Sequence, residues 1–186
     1  MKTLKTTLLA GLFVAGFATA SYAADPIEPA PQPDYSASGF YIRGDLGWSF
    51  LEWGGGADDS APAFGAGIGY QATDNLRTDL RVDWAGSYSV APGAKMDATT
   101  VLGNLYFDIP NETIFTPYVG AGLGWGWVND APGGNDNGFA YALMGGAAVD
   151  LSDSLALDLG YRFRDIGISG PDTMEHQLTA GLRVKF

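Results

Sequence analysis

From residue 39 to the C-terminus, apolar side chains recur at every second position, and the charged ones fall between them. In the segment 40–50 the even positions are Phe40, Ile42, Gly44, Leu46, Trp48 and Phe50. The odd positions are Tyr41, Arg43, Asp45, Gly47 and Ser49. A period of two belongs to a strand, not a helix, because successive side chains of a strand point to opposite faces. The pattern returns at 64–70, 76–84, 101–108, 115–127, 139–150, 155–164 and 177–186. The chain therefore reads as all-β with eight strands.

Alternation alone does not separate a soluble sandwich from a barrel in lipid. The charges do. In this register no Asp, Glu, Lys or Arg falls on an apolar face. The other face carries Arg43, Arg77, Arg81, Arg162, Arg164, Arg183 and Lys185 against Asp45, Asp79, Asp83, Asp108, Asp150, Asp158 and Glu175. A solvated face has no need of such balance. An enclosed one does, because an unpaired buried ion costs several kcal/mol. Enclosing the charged face and presenting the apolar one to lipid satisfies every strand at once.

The connections point the same way. Short ones are expected at 72–75, 110–113 and 152–154, and longer ones at 51–62, 89–95, 129–137 and 165–173. They alternate along the chain, as periplasmic turns and extracellular loops do. Phe40, Tyr70, Phe107 and Phe115 would form an aromatic girdle at the short-turn end, with Trp48, Phe64, Trp84, Trp125 and Trp127 at the other. The expected fold is an eight-stranded antiparallel up-and-down transmembrane β-barrel with short periplasmic turns and longer extracellular loops. Pro117, near the start of the fifth strand, cannot donate to a ladder and is expected at the periplasmic interface.

The N-terminus has a different character. Lys2 and Lys5 precede an apolar run near 8–17, closed by small residues at 18–20 and 21–23. This is the layout of a secretory signal peptide, with cleavage after Ala23 or, alternatively, Ala20. Residues 24–38, ADPIEPAPQPDYSAS, read as an extended Pro-rich periplasmic leader, and 39–186 as the barrel. The net charge of −11 argues against nucleic acid as a partner. The absence of cysteine removes disulfides, thiolate metal sites and Cys nucleophiles. Neither a cofactor nor a metal is expected.

Four features could carry chemistry. GAGIG at 65–69 and GAGLG at 120–124 lack the strand–turn–helix setting of a nucleotide loop, and read as room for long arginines inside the barrel. Arg77, Asp79, Arg81 and Asp83 form a ladder that either lines an ion path or pairs internally. An eight-stranded interior is just filled by side chains, which favours pairing. His176, the one histidine, is expected to face lipid near the outer rim, with no orienting acid or serine defined for it. The outer loops hold Glu52, Asp58, Asp59, Asp130, Asp136, Asp165 and Asp172 against Lys95. They read as a solvated acidic rim, the alternative being weak Mg²⁺ or Ca²⁺ bridging to lipopolysaccharide phosphates; outer-membrane lipid and lipopolysaccharide are the expected partners.

TPYVGAGLG at 116–124 and DLSDSLALDLGYRF at 150–163 resemble the small opacity-type, RopB-like outer-membrane proteins of alphaproteobacteria. The resemblance runs from 39 to 186. It implies a barrel with both ends in the periplasm and an envelope role without catalysis. The terminal LTAGLRVKF is similar to the signal, ending here in Phe186, that such proteins show to the barrel assembly machinery. Some members have a mature Ala-Asp N-terminus joined to peptidoglycan, which Ala24 and Asp25 match if cleavage follows Ala23. The expected function is a structural protein of the cell outer membrane that supports envelope integrity, with the N-terminus as a tether to peptidoglycan. A narrow porin-like channel for small solutes, or a surface adhesin, is the alternative.

Overall fold

The computed structural model describes residues 39–53, 58–91, 94–129, 134–168 and 173–186. The expected signal peptide and leader, with Ala24 and Asp25, lie outside the described residues, as do Asp130 and Asp172. Eight strands form one closed barrel: β1 (Gly39–Trp53), β2 (Asp58–Gln71), β3 (Leu76–Ala91), β4 (Ala94–Asp108), β5 (Phe115–Asn129), β6 (Asp136–Ser152), β7 (Leu155–Ile166) and β8 (Thr173–Lys185). Each pairs antiparallel with the next, and β8 returns to β1 to close the ring. The Phe186 amide donates to the Phe40 carbonyl at 3.0 Å, so the end of the chain seals the seam where the barrel begins.

The register agrees with the alternation strand by strand. Tyr41, Arg43 and Asp45 are buried, whereas Phe40, Ile42 and Leu46 are exposed on the outer wall. The same holds along β3, where Arg77, Asp79, Arg81 and Asp83 face in and Leu76, Leu80 and Val82 face out. The outer wall is thus apolar, and exposing so many large hydrophobics is favourable only in lipid.

The strands run further than the alternation of large apolar residues indicates. Segments expected as long loops are largely ladder, with Leu51↔Asp59 and Trp48↔Pro62 in register on β1 and β2. The connections at that end shrink to 54–57, 92–93, 130–135 and 167–172. Those at the opposite end are 72–75, 109–114 and 153–154. The expected contrast between short turns and long loops is therefore one of strand overhang. A tilted strand needs about 9–11 residues to cross a bilayer, and these have 12 to 17.

Beyond the outer girdle the polarity reverses. Leu51, Ala61, Ala63, Ala85, Met96, Ala98, Val128 and Ile166 point inward and join one buried cluster. Glu52, Ser87, Lys95 and Asn137 point outward and are exposed. The barrel is inside-out where it meets lipid and has ordinary water-soluble polarity above it. The expectation of an uncharged outer face is corrected accordingly. It holds over the apolar band, but Glu52, Asp97 and Asp165 sit outward on the overhangs, where water tolerates them.

Local chemistry explains the irregular points. Asn111 Oδ1 accepts from the Thr113 amide at 2.8 Å and its Nδ2 donates to the Phe115 carbonyl at 2.9 Å, building the 109–114 turn. Pro117 lies near the periplasmic end of β5 and donates nothing, but its carbonyl accepts from the Ile109 amide at 2.8 Å. Ser87 takes a φ of +72° at a register shift in β3. That bulge turns Tyr88 into the lumen, where it is fully buried.

Candidate functional site

Two regions concentrate chemistry: the lumen and the outer girdle. All eleven residues expected as an inward network, Arg43, Asp45, Arg77, Asp79, Arg81, Asp83, Asp108, Asp158, Arg162, Arg164 and Arg183, are buried. Glu175 joins them, giving six arginines and six acids among the described buried residues. Lys185 and Asp150 do not belong to the lumen. They pair at 2.7 Å on the rim, where Asp150 is exposed.

The network is continuous across strands. Arg81 Nη2 meets Asp83 at 2.6 Å and Asp45 at 3.1 Å. Arg162 reaches Asp83 at 2.6 Å, and Arg43 reaches Asp45 at 2.7 Å. Asp79 collects Asn104 Nδ2 at 2.7 Å, Tyr41 Oη at 3.3 Å and Arg43 at 3.5 Å. Towards the periplasmic end, Arg77 binds Asp108 at 2.9 Å and lies over the rings of Tyr106 and Tyr118 at 4.4 and 4.7 Å. Asp158 is held more loosely, 3.8 Å from Arg77 and 3.5 Å from Arg183.

At the outer end two contacts cross the lumen between strands that are not neighbours. Tyr88 donates to Glu175 at 3.1 Å, from β3 to β8, and Arg164 donates to Thr100 at 2.8 Å, from β7 to β4. Arg164 also grips Glu175 through two nitrogens. The apolar cluster packs around this knot.

The glycine motifs divide. A Cβ on Gly65 would lie 2.6 Å from Arg81 Nη2 and one on Gly67 would lie 2.7 Å from Arg81 Cγ, so these two glycines of GAGIG make room for an arginine, whereas Gly69 makes room for Tyr41. In GAGLG the neighbours are different. Gly120 faces Tyr106, Gly122 faces Asn104, and Gly124 faces the Val101 backbone. The expected arginine space is corrected there to space for a tyrosine, an asparagine and close strand approach.

The aromatic residues form rings at both ends of the apolar band. Phe40 packs on Tyr70 at 5.1 Å at the periplasmic level, and Phe64 stacks on Trp84 at 5.7 Å at the outer level. From Phe40 to Trp48 a tilted strand rises about 20 Å, close to the apolar height of such barrels. Tyr141 and Phe163 continue the outer ring, and His176 packs on Phe163 at 5.4 Å. His176 faces outward as expected. It is not alone, however: Tyr161 Oη lies 2.5 Å from its Nδ1, and Glu52 Oε1 lies 3.9 Å from its Nε2. Sequence reasoning missed this grouping because Glu52 was assigned to a loop. It also overlooked Tyr41, Asn104 and Thr100, whose only signal was the parity of the charged face, and Tyr88, whose parity is that of the apolar face and which only the bulge at Ser87 turns inward.

A closed ring of eight strands, apolar outside and filled with paired charge inside, defines a small outer-membrane β-barrel protein. The comparisons give the family. The outer membrane protein beta-barrel domain model matches residues 9–186, and the chain belongs to that family. An uncharacterized protein of Brucella abortus is 30% identical over 86% of this chain and 88% of its own length. A putative adhesin of Rickettsia conorii is 28% identical over 63% of this chain and 64% of its own. The crystal structure of Neisserial surface protein A superposes with a TM-score of 0.72 at 23% identity, covering 80% of this chain and 98% of that one. The protein resides in the outer membrane.

Proposed function

We propose that this barrel is a structural element of the envelope and not a channel. The carrying observation is the filled lumen: six arginines and six acids are buried in it, and an apolar cluster packs around the Arg164–Glu175 pair at the outer end. Eight-stranded barrels have interiors that side chains just fill, and aqueous channels need about sixteen strands. Proteoliposomes carrying the protein should not swell in isotonic arabinose. Swelling at porin-like rates would favour the channel reading.

In this reading residues 1–23 are removed and the leader 24–38 runs from the periplasmic end as a strut. At about 3.1 Å per residue in polyproline geometry, thirteen residues reach roughly 40 Å. Transpeptidation would join it to the wall: the α-amine of Ala24, followed by Asp25, would attack a stem-peptide carbonyl and displace the stem's terminal amino acid as the leaving group. Supporting this are the small residues before Ala24, the resemblance to tethered proteins, and the position of Gly39 at the end of β1 that also bears the chain's C-terminus. Mass spectrometry of lysozyme-released protein should find a muropeptide on Ala24. Full release from sacculi in hot SDS, with a free amine at Ala24, would refute the tether and leave the barrel. The barrel assembly machinery and lipopolysaccharide complete the set of partners.

Catalysis is disfavoured because the hydroxyl that meets His176 is the phenol of Tyr161 and not the serine of a Ser-His pair. A surface adhesin is the second reading. The similarity to the putative adhesin of Rickettsia conorii and the overhang of the strands beyond the outer girdle favour it. Attachment of coated beads to host cells, lost on removal of the overhang, would support it.

A further inference from the structure

The ion pairs of the lumen do not all meet at hydrogen-bond distance. At mid-depth Arg81 and Arg162 each lie 2.6 Å from Asp83. Asp158 on β7 is different. Its Oδ1 lies 3.8 Å from Arg77 Nη2, across the ring on β3, and its Oδ2 lies 3.5 Å from Arg183 Nε on β8. Both Asp158 oxygens, Nη1 and Nη2 of Arg77, and Nε and Nη1 of Arg183 have no hydrogen-bond partner among the described residues. The three residues are 2%, 0% and 4% exposed, so bulk solvent does not serve these atoms. Leaving them bare would cost free energy at each one. The walls beside them are small: Ala148 and Gly181 flank Asp158 in register, and Ala156 flanks Arg183.

We infer that Asp158, Arg77 and Arg183 hold bound water, an internal hydration site in the periplasmic half of the lumen. Charge selects the ligand. An anion between the two guanidinium groups would meet the Asp158 carboxylate, and a cation on Asp158 would meet two arginines. Arg77, Arg183, Asp108 and Asp158 are neutral together, with Asp108 held by Arg77 Nε at 2.9 Å. What fits is a neutral molecule that accepts from guanidinium and donates to carboxylate, and water does both. A water beside each long N···O contact meets two or three partners at once, the usual number for a buried one. It enters from the periplasmic end, where the Asp108 side chain, at 8%, is the most exposed of these four. The apolar cluster seals the other end. The inner half of the lumen is thus a blind, hydrated vestibule. The inference rests on the closed lumen of the structural reading: a dry Asp158 would leave that reading standing, whereas a conducting lumen would remove both.

Water-selective NOE spectra of the folded protein in perdeuterated micelles read the arginine Nε–H groups one by one. Arg183 Nε–H should show a cross-peak to water, and Arg164 Nε–H, bonded to Glu175, should show none. Asp158→Glu, one methylene longer, brings the carboxylate onto the arginines and should abolish the Arg183 cross-peak. Tyr118→Phe removes the phenol that lies over Gly146 and Gly160, and should leave the cross-peak in place. Each variant is checked for heat-modifiable gel mobility; if Asp158→Glu does not assemble, the contrast between Arg183 and Arg164 in the wild type decides alone. A missing cross-peak at Arg183, an equal one at Arg164, its persistence in folded Asp158→Glu, or its loss in Tyr118→Phe would overturn the inference. So would a saturable shift of Arg183 Nε–H on titration with chloride, which would make the occupant an anion.

Discussion

Arg81→Leu tests the lumen network at its centre. Arg81 is 3% exposed and bridges Asp83 at 2.6 Å and Asp45 at 3.1 Å. Breaking a buried pair by removing one partner typically costs about 3–5 kcal/mol, because the other charge is stranded. Here each acid keeps a second arginine: Asp83 retains Arg162 at 2.6 Å and Asp45 retains Arg43 at 2.7 Å. The cost should therefore fall at the low end, about 3 kcal/mol, or about a hundredfold in the folding equilibrium. Removing Asp45 as well, as Asn, restores the count of charges and should recover more than half of that loss. Reversible urea unfolding in lipid vesicles, followed by tryptophan fluorescence, measures Arg81→Leu, Asp45→Asn and the double variant against wild type. If the double variant is as unstable as the sum of the two single ones, the charges are not coupled through the lumen. The reasoning then fails.

Other expectations follow from the same geometry. Leu80→Arg, outward at 53% exposure beside Ile68, should cost about 2–4 kcal/mol, and wild-type stability in the same assay would put the register off by one. Tyr88→Phe removes the donor to Glu175 and should lower stability by about 1–3 kcal/mol, the cost of a hydrogen bond to a buried charge; an unchanged unfolding midpoint would deny the cross-lumen tie. Gly122→Ala should impair assembly because its methyl would meet the Asn104 amide, and Gly122→Ala with Asn104→Ala should recover it. Unheated samples should run faster on SDS gels than boiled ones, since the ladder closes without an edge; identical mobility would count against closure.

The fold was legible because lipid imposes a harsh rule on each strand. Large apolar residues at Phe40, Ile42 and Leu46, with Arg43 and Asp45 between them, permit one register, and a slip by one residue would put charge into hydrocarbon. The rule lapses above the girdle. There Ala61, Ala63 and Ala98 are small and face a narrow lumen, while Ser60 and Asp59 resemble loop residues, so the overhangs passed as loops. Which charge meets which could not be read along a strand. Arg162 reaches Asp83, and Tyr88 reaches Glu175, through the stagger of a closed ring. The same stagger brings Glu52 to His176. The chemistry of the leader, in contrast, was legible only through resemblance, since Ala24-Asp25 followed by prolines has no distinctive physics of its own.

In the proposed reading the lumen is closed twice, by paired charge within the bilayer and by apolar packing above it. The most direct measurement is single-molecule current across a planar bilayer containing purified, heat-modifiable protein in molar KCl. A flat baseline at moderate voltage, with no stable unitary steps, is expected. A steady, ohmic channel of reproducible size would contradict it, because it would require an open path past the Arg81, Asp83 and Arg162 pairs.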